Sequence, residues 1–539
     1  MTITHEVFNQ VPPRVDVDEF TSNIPLVAAV SQYDASWAAA DLSRVGRYVG
    51  TAAFQADAER ANRIEPELHT HDRYGNRVDE VEYDSSYQRI IAAAVAEGAH
   101  TSAWASPRAG ANVARAATFM LFAQVEPGHA CPISMTHSAV PALAVSPQLS
   151  EKWMPRLLSR SYSGSLTPGK TSALFGMAMT EKQGGSDVRA NTTRAIAAGD
   201  HHLLTGHKWF CSAPMSDGFL VLAQAPAGLS CFLVPRILDD DSRNVFRIQR
   251  LKDKLGNRSN ASSEVEFDDT VGFLLGEEGR GVKTIIEMVA RTRLDCVYGT
   301  TAGMRQAVAE AAWHVRHRAA FGRTLVDQPA MTAVLTDLAI ESEAATATAM
   351  RLAAAHDSSS SSEIAFRRLA TAVSKYWICK RGPEHAYEAL ECLGGNGYTE
   401  TFPLARRYRE QPVMAVWEGS GNVIALDVLR VLTKEPDAVE AFDAEVGVAR
   451  GVNAMFDAHV DATRALARLV ASSEPDAASR SARRLVADLA LSLQASLLIR
   501  HAPSAVADAF VASRFGPDRG HLYGELPPTA DLAAIIDRA

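Results

Sequence analysis

The chain has 539 residues, 47% hydrophobic and 22% charged, which is enough for several folded domains and excludes disorder and a small disulfide scaffold. Its 54 Lys and Arg against 63 Asp and Glu give a net charge of −9, which excludes nucleic-acid binding by the surface as a whole. Six scattered cysteines without a CxxC pair indicate neither a zinc site nor a disulfide framework and fit a reducing compartment. Without a signal-peptide pattern or an unbroken apolar stretch of ~18 residues, we expect a soluble, cytoplasmic protein that does not enter a membrane.

The periodicity of apolar residues divides the chain into four predicted domains. Residues 1–172 begin with an extended arm and continue with apolar residues at three- and four-residue spacing, which predicts helices. Residues 173–278 change to period two, in short runs separated by turn residues, which predicts a small domain of antiparallel strands. Residues 279–435 return to long amphipathic helices, and residues 436–539 continue the helical pattern. The runs that predict strands are LLTGHKWFCS, GFLVLAQA, LSCFLVP, FRIQRL and SSEVEFDD.

Three helices are predicted after the β domain, before the last helical pattern. The first runs from Gly281 through RHR, the second from about Gln328 to His356, and the third over residues 363–393. The serines at 358–362 predict a loop between the second and the third. A further helix follows GSGN and closes at Lys434.

Two segments of the β domain carry residues suited to a planar or phosphorylated ligand. In MTEKQGGSD, residues 179–187, glycines permit close approach of the backbone while Thr180 and Ser186 supply hydroxyls. Such a loop is by itself more often a structural turn. In TGHKWFCS, residues 205–212, the aromatic residues alone would indicate a half-buried strand.

Three segments of the following helical domain have a structural and a functional interpretation. In RAAFGRTL, Arg318 closes a long helix, where a cation complements the helix dipole or binds phosphate. In LGGNGY, residues 393–398, a glycine could be a helix C-cap. In VWEGSGN, Glu418 precedes a helix, a position usually occupied by a capping or solvated residue.

Taken together, in this order over about 250 residues, the five segments resemble the acyl-CoA dehydrogenase superfamily. MTEKQGGSD is similar to the MTEPxAGSD of that family, and WEGSGN to its Y-E-G-T/S element. The resemblance implies a mainly α fold with a central β domain: a helical N-terminal domain, a middle β-barrel and a C-terminal four-helix bundle, followed here by an extra helical domain.

The resemblance implies FAD as the cofactor. Phe210 falls where the family often has Trp, and Ser212 falls on its Thr. Arg318 corresponds to an arginine that reaches the FAD pyrophosphate of a neighbouring subunit, which implies at least a homodimer and favours a homotetramer. The residues implied to contact FAD are Met179, Thr180, Gly185, Ser186, Phe210, Cys211, Ser212, Arg318, Phe321, Gly394, Gly395, Gly419, Ser420 and Asn422.

Glu418 is implied to be the catalytic base that removes the α-proton of an acyl-CoA thioester while the β-hydrogen leaves as hydride to the flavin. Burial against an acyl chain raises the pKa of a carboxyl towards neutrality, where its carboxylate is a competent base. Gly419 leaves room for the thioester, and residues 420–422 can cap the next helix. Some family members carry the base beside the position of Arg293, but the residue there is Thr292.

Several stretches, among them LKDKLGNRSNASSEVEF and ICKRG, indicate the AidB branch of the superfamily. This branch implies weak dehydrogenase activity on short branched acyl-CoAs and binding of duplex DNA through the added domain. Arg430 matches a position associated with DNA binding, although Asp427 could hold it in an ion pair. Residues 436–539 contain ten Arg, no Lys and fourteen acidic residues, a balance of −4 that argues against strong DNA binding.

We therefore expect an FAD-dependent acyl-CoA dehydrogenase that is reoxidised by an electron-transfer flavoprotein or oxygen. The alternative is an AidB-like, DNA-binding protective flavoprotein with weak or vestigial activity. A third hypothesis is oxidation or monooxygenation of a small substrate without CoA. No metal site is predicted, because the histidines form no ligand set with carboxylates or thiols.

Overall fold

The computed structural model describes residues 4–539, which form two compact units. We call residues 53–111 and 126–295 the barrel unit, and residues 4–52, 112–125 and 296–539 the helical unit. The strands are β1 Glu67–His71, β2 Arg77–Glu82, β3 Phe175–Ala178, β4 Arg194–Ala198, β5 His201–Ser212, β6 Gly218–Ala225, β7 Gly228–Pro235, β8 Arg247–Leu251, β9 Ser262–Leu275, β10 Ala319–Ala320 and β11 Arg323–Thr324.

The α-helices are numbered in chain order through both units, and the ninth runs from residues of the barrel unit to residues of the helical unit. The first nine are α1 Ile24–Gln32, α2 Ala39–Gly50, α3 Ala52–Arg63, α4 Ser85–Ala96, α5 Ser102–Ala105, α6 Ala111–Ala123, α7 Ala130–Leu143, α8 Pro147–Leu157 and α9 Gly281–His317. The others are α10 Pro329–Ala355, α11 Ser361–Glu391, α12 Pro403–Val416, α13 Gly421–Lys434, α14 Pro436–Gly447, α15 Ala454–Ala471, α16 Pro475–His501, α17 Ser504–Phe515 and α18 Leu532–Ile536.

The barrel unit is built on a seven-stranded sheet that closes on itself. Its strand order is β3-β6-β4-β5-β9-β7, with β8 paired to β9, and the pairing of β6 with β7 closes the barrel. Most neighbours are antiparallel, but β3 runs parallel to β6, with Phe175 opposite Gly218. Closure satisfies the backbone groups that an open sheet would leave at its edges.

Strand β6 shows why this sheet is buried on both faces. Because side chains alternate along a strand, Phe219 and Val221 point into one apolar cluster while Leu220 and Leu222 point into another. The first cluster fills the barrel with residues such as Phe267. The second cluster packs the outer face of the barrel against α7, α8 and α9.

All five predicted strands are present, but the sequence left four strands of the barrel unit unpredicted. Strand β3 has four residues, and the alanine-rich β4 contains Ile196 as its one β-branched residue. The hairpin β1–β2 lies in the stretch predicted to be helical, and its charged sequences ELHTH and RVDEVE carry no apolar alternation of strand type. The five predicted strands pair antiparallel with one another as expected, and the parallel pairs join the two unpredicted strands β3 and β4 to β6.

The helical unit is a bundle in which α9, α10, α11 and α12 share one apolar core. Val308 and Val315 of α9, Leu338 of α10 and Leu390 of α11 belong to this core, together with Ile536 from the end of the chain. The predicted helices are present to within two residues at each end, except that α11 begins at Ser361 inside the predicted loop. The side chain of Ser360 caps that helix by accepting a hydrogen bond from the amide of Glu363.

Residues 436–539 are joined to the bundle by ion pairs as well as by the apolar contacts of Ile536 and Tyr523. Arg514 bonds Asp337 at 2.8 Å and Glu341 at 3.0 Å, and both carboxylates belong to the buried side of α10. Arg538 bonds Glu343 of the same helix at 2.6 Å. The fold class expected from the sequence, a mainly α protein with a central β domain and an extra helical segment, is therefore confirmed.

Candidate active site

The loop after β3, residues 179–187, is fixed to β5 by a fully buried ion pair. The ammonium of Lys208 lies 2.9 Å from Glu181 Oε1, and it donates a second hydrogen bond to the carbonyl of Leu222 at 2.8 Å. Both side chains are fully excluded from solvent. A buried charge is tolerated when it is paired and hydrogen-bonded, and here both conditions are met.

The carboxylate of Glu181 accepts further hydrogen bonds from the same region. Its donors include the amides of Thr192 and Thr193, at 2.7 and 3.1 Å, and the side chain of Gln183 at 2.9 Å. Burial alone would raise the pKa of Glu181, but the Thr192 amide and the Lys208 ammonium outweigh burial and lower that pKa well below its usual range. Glu181 is therefore a permanently ionised anchor of the loop.

This anchored loop presents Thr180 beside glycine. The carbonyl of Thr180 accepts a hydrogen bond from the amide of Trp209 at 2.9 Å, and the carbonyl of Met179 accepts one from Asn191 at 2.9 Å. A Cβ atom on Gly185 would lie 2.3 Å from Thr180 Oγ1, so only glycine fits there. Gly185 and the neighbouring Ser186 are exposed, and a ligand can therefore approach their backbone.

The end of β5 places an aromatic ring at the surface. Phe210 is 53% exposed, whereas Lys208 and Cys211 of the same strand are buried. The next residue, Cys211, is fully buried, main chain included, and its carbonyl accepts from Ser263 Oγ at 2.9 Å. Burial raises the pKa of the Cys211 thiol to about 12, which keeps it protonated. The hydroxyl of Ser212 lies 3.3 Å from that of Ser262.

The segment after α9 forms the hairpin β10–β11 with Phe321 at its tip. Phe321 is 97% exposed and has a φ of +54°, and Gly322 follows with +79°, a pair of positive values typical of a type I′ turn. The N-terminal arm supports this hairpin, because the side chain of Asn9 bonds both the carbonyl and the amide of Ala319. Arg318 donates to the carbonyl of Asn9.

The glycines that follow α11 differ in their surroundings. Gly394 and Gly395 are exposed, and no atom lies within 4 Å of the position of a Cβ on either residue. A Cβ on Gly397 would lie 2.1 Å from the carbonyl oxygen of Leu390. Packing therefore requires glycine at Gly397. Gly395 has neither a positive φ nor a close neighbour, so its backbone is exposed at the surface.

Glu418 lies in the turn that joins α12 to α13. Its φ is +57° and that of Gly419 is +112°, so two successive residues occupy left-handed backbone. A non-glycine residue in this region is uncommon and persists only where its surroundings hold it. Ser420 occupies the N-cap position of α13, but its side chain makes no capping hydrogen bond, contrary to the capping expected from the sequence. Asn422, in the first turn of α13, is exposed.

Two further residues bear on Glu418 as the candidate base. Thr292 is buried, and its hydroxyl bonds the carbonyls of Met288 and Val289 of its own helix, so no carboxylate occupies the alternative position. Lys375 of α11 is buried and donates to the carbonyl of Gly419 at 2.5 Å. Sequence reasoning missed Lys375, although it lies three residues before the ICKRG stretch that resembles the AidB branch.

Arg430, which the resemblance to the AidB branch associates with DNA binding, forms the ion pair with Asp427 that the sequence suggested. Its guanidinium donates to Asp427 at 2.8 Å, and Asp427 also accepts from Arg368 at 3.1 Å. Several arginines of residues 436–539 are similarly paired with carboxylates: Arg450 with Asp461, Arg464 with Asp443, Arg500 with Glu445, Arg514 with Asp337, and Arg538 with Glu343.

Among residues 4–539, no group of three or more His, Cys, Asp or Glu side chains is arranged to hold a metal ion. Over the same residues, none of the helices combines the length and apolar character needed to cross a membrane.

Comparison with protein families accounts for most of the chain. Residues 9–164 match the N-terminal domain of the adaptive response protein AidB. Residues 176–270 match the middle domain of acyl-CoA dehydrogenases, and residues 279–433 match their C-terminal domain.

Individual relatives cover similar extents. AidB of Escherichia coli (strain K12) is 46% identical over 460 residues, which are 84% of this chain and 85% of that protein. The structure of Caenorhabditis elegans ACDH-11 in complex with C11-CoA has a TM-score of 0.85 at 25% identity, covering 96% of this chain and 94% of its own. An acyl-CoA dehydrogenase of Bacillus anthracis complexed with FAD has a TM-score of 0.64 at 18% identity, covering 80% of this chain and 78% of its own, and shares the fold.

Proposed function

Because the chain belongs to the AidB branch of the acyl-CoA dehydrogenase family, we propose that it binds FAD and dehydrogenates an acyl-CoA between Cα and Cβ, with Glu418 as the base. The observation that carries this proposal is the backbone of Glu418, which is in left-handed conformation between α12 and α13, two helices that each pack on α11. Strained backbone that the fold maintains is common at functional positions.

The residues assigned to FAD fit such a ligand within each unit. In the barrel unit, Phe210 offers a half-exposed ring, and Gly185 leaves the Thr180 hydroxyl and nearby amides accessible. In the helical unit, Gly394 and Gly395 have open space where side chains would be. Exposed aromatic residues and bare backbone suit a planar ring and a pyrophosphate. Bound FAD would supply the acceptor for the β-hydrogen as hydride.

The chain itself would supply the proton acceptor. Residues just before Glu418, among them Met414 and Trp417, belong to an apolar cluster with Cys379. The turn therefore follows directly on packed apolar side chains. A carboxylate in such surroundings is a stronger base than in water, because burial disfavours its charge. Glu418 would take the proton from Cα of the thioester, and Gly419 would leave space for the acyl carbonyl.

Glu418→Gln tests this assignment. General-base catalysis contributes about 10²- to 10⁴-fold, so the variant should retain yellow flavin and lose anaerobic bleaching by acyl-CoA by about that factor. The assay is stopped-flow absorbance at the flavin band. Glu440→Gln, an exposed change on α14, is the matched control and should bleach like the parent protein. Bleaching of Glu418→Gln at the parent rate would remove Glu418 from this role.

The acyl chain and the oxidant define the finer part of the proposed function. We expect a short or branched acyl-CoA as substrate and an electron-transfer flavoprotein or oxygen as oxidant. A screen of acyl-CoAs of different length by anaerobic bleaching, followed by mixing with each oxidant, identifies both. Bleaching by a small substrate without CoA, and by none of the thioesters, would favour a different flavin reaction.

The paired arginines bear on the alternative, a DNA-binding protective flavoprotein. Phosphate contacts need local cations, and the guanidinium of Arg430 is already bonded to Asp427. We therefore expect weak, salt-sensitive binding of duplex DNA at most. Titration of the protein with labelled duplex DNA at two salt concentrations distinguishes the two functions, since tight binding that depends on Arg430 would favour the alternative.

We also propose a homotetramer, with Phe321 in a contact between copies. Phe321 is 97% exposed at the hairpin tip, so its whole ring is available for burial against another copy, and burial of an aromatic ring is a large favourable contribution to association. Analytical ultracentrifugation of the parent protein and of Phe321→Ser measures this. Loss of the larger species in the variant is the expected result, and a monomeric parent protein would contradict the proposal.

A further inference from the structure

The turn that carries Glu418 is tied to the bundle by a buried lysine. Lys375 of α11 is 1% exposed, and its ammonium donates to the carbonyl of Gly419 at 2.5 Å and to the carbonyl of Ala415 at 3.4 Å. Both acceptors are backbone atoms on either side of Glu418. One side chain therefore fixes the end of α12 and the turn that follows it.

The choice of a lysine at this position is unfavourable for stability alone. Bringing an ammonium out of water is costly unless a carboxylate or several dipoles compensate it. The acceptors of Lys375 are backbone carbonyls, one of them in the last turn of α12, where the helix dipole favours a cation. An apolar side chain of similar volume would fill the same space without desolvating a charge, which indicates a role other than packing.

Lys375 holds a segment of backbone that has few other constraints. Glu418 and Gly419 both have positive φ, and the Ser420 side chain does not cap the next helix. Residues at the ends of helices otherwise fray and populate several conformations. The two carbonyls that Lys375 binds lie before and after Glu418, at Ala415 and Gly419, so holding both restricts the backbone conformation of Glu418 and with it the direction of its side chain.

We infer that Lys375 is a positioning residue for the proposed base, acting through the carbonyl of Gly419. This inference rests on the proposed function of Glu418. Lys375 is not assigned contact with substrate or flavin. Its removal should leave the protein folded and FAD bound, while the Glu418 turn samples other conformations and the proton transfer from Cα slows.

The test compares three variants on α11. Lys375→Met removes the charge and the donors, Lys375→Gln keeps a donor without charge, and Leu369→Ala removes a fully buried apolar side chain from the same helix as a control for lost stability. For Lys375→Met we expect bleaching about 10- to 100-fold slower at saturating acyl-CoA, with little change in the concentration for half-maximal rate. Lys375→Gln should recover part of the rate, and Leu369→Ala should keep it at temperatures where it is folded.

A second measurement does not depend on activity. Hydrogen–deuterium exchange in the peptide 413–424 should be about tenfold faster in Lys375→Met than in the parent protein, and unchanged in Leu369→Ala. Unchanged exchange, or bleaching at the parent rate in both Lys375 variants, would overturn the inference. If the parent protein itself is not bleached by any acyl-CoA while the exchange difference is present, the proposed function fails and the anchoring of the turn stands. If Lys375→Met does not fold, the same two readouts on Lys375→Gln decide.

Discussion

Each of the two units contains a buried lysine that holds a loop implied in function, and the two lysines are compensated differently. Lys208 of the barrel unit meets the carboxylate of Glu181, which is itself bonded by backbone amides. Lys375 of the helical unit meets backbone carbonyls. The first arrangement is a closed network that fixes a loop permanently. The second leaves the lysine dependent on one strained turn, so its removal should affect the position of Glu418 more than the stability of the fold.

Lys208→Met is the change with the largest expected effect on stability. The variant leaves the buried charge of Glu181 uncompensated. Removing one partner of a buried ion pair lowers the free energy of unfolding by about 3–5 kcal/mol. Urea unfolding measures this loss. The double variant Lys208→Met with Glu181→Leu should recover most of it, because neither charge remains. A single variant as stable as the parent protein would show that the pair does not anchor the loop.

Acid should destabilise the barrel unit through a second closed network. Burial alone would raise the pKa of Glu126, but the side chains of His129 and Ser259 outweigh burial and lower it to about 2. A depressed pKa adds stability above the unfolded value near 4.5, and that stability is lost as pH falls towards 2. A pKa shift of this size contributes about 3 kcal/mol to the free energy of unfolding at neutral pH.

Glu126→Gln isolates this effect from other carboxylates. The variant should be less stable than the parent protein at pH 7, and the difference should vanish near pH 2. Urea unfolding at several pH values between 7 and 2 measures it. A difference that stays constant over this range would show that the charge of Glu126 is not what stabilises the network.

Gly419→Ala should distort the turn that Lys375 holds. Glycine tolerates a φ of +112°, whereas alanine does not, and its Cβ would lie 3.1 Å from Ile424 Cδ1. We expect the free energy of unfolding to fall by about 1–3 kcal/mol and bleaching of the flavin by acyl-CoA to slow. Gly447→Ala, at the end of α14 where no atom lies within 4 Å, is the matched control for a glycine change. Unchanged bleaching in Gly419→Ala would mean that the turn need not be held.

These variants also show which parts of the molecule could be predicted from the sequence. The long helices and the five apolar strands were predicted because their periodicity is strong, as in β6, where both faces are buried. The hairpin β1–β2 was missed because eight of its eleven strand residues are polar or charged and do not alternate with apolar ones. The motif residues were predictable from short sequence patterns.

The buried side chains that hold those motif residues in place were not predictable from the sequence. Glu181 and Lys208 are 27 positions apart, and Lys375 and Gly419 are 44 positions apart, so only the fold brings each pair together. A lysine in an amphipathic helix is expected at the surface, and nothing in the local pattern of α11 marks Lys375 as buried.

Arg430→Gln should have the smallest effect. Its guanidinium is half exposed, and an exposed ion pair contributes less than about 1 kcal/mol. We expect nearly unchanged unfolding, bleaching and duplex DNA affinity. The same measurements on Asp427→Asn, which frees Arg430, provide the control. A clear loss of DNA affinity in Arg430→Gln alone would contradict the assignment of Arg430 to a structural ion pair.

The central claim is that Glu418 removes the α-proton of an acyl-CoA. Anaerobic stopped-flow bleaching of the parent protein with an acyl-CoA deuterated at Cα tests it most directly. We predict that the deuterated thioester bleaches the flavin more slowly than the protiated one, and that Glu418→Gln bleaches negligibly with either. Equal rates for both thioesters in the parent protein, together with undiminished bleaching in Glu418→Gln, would contradict it.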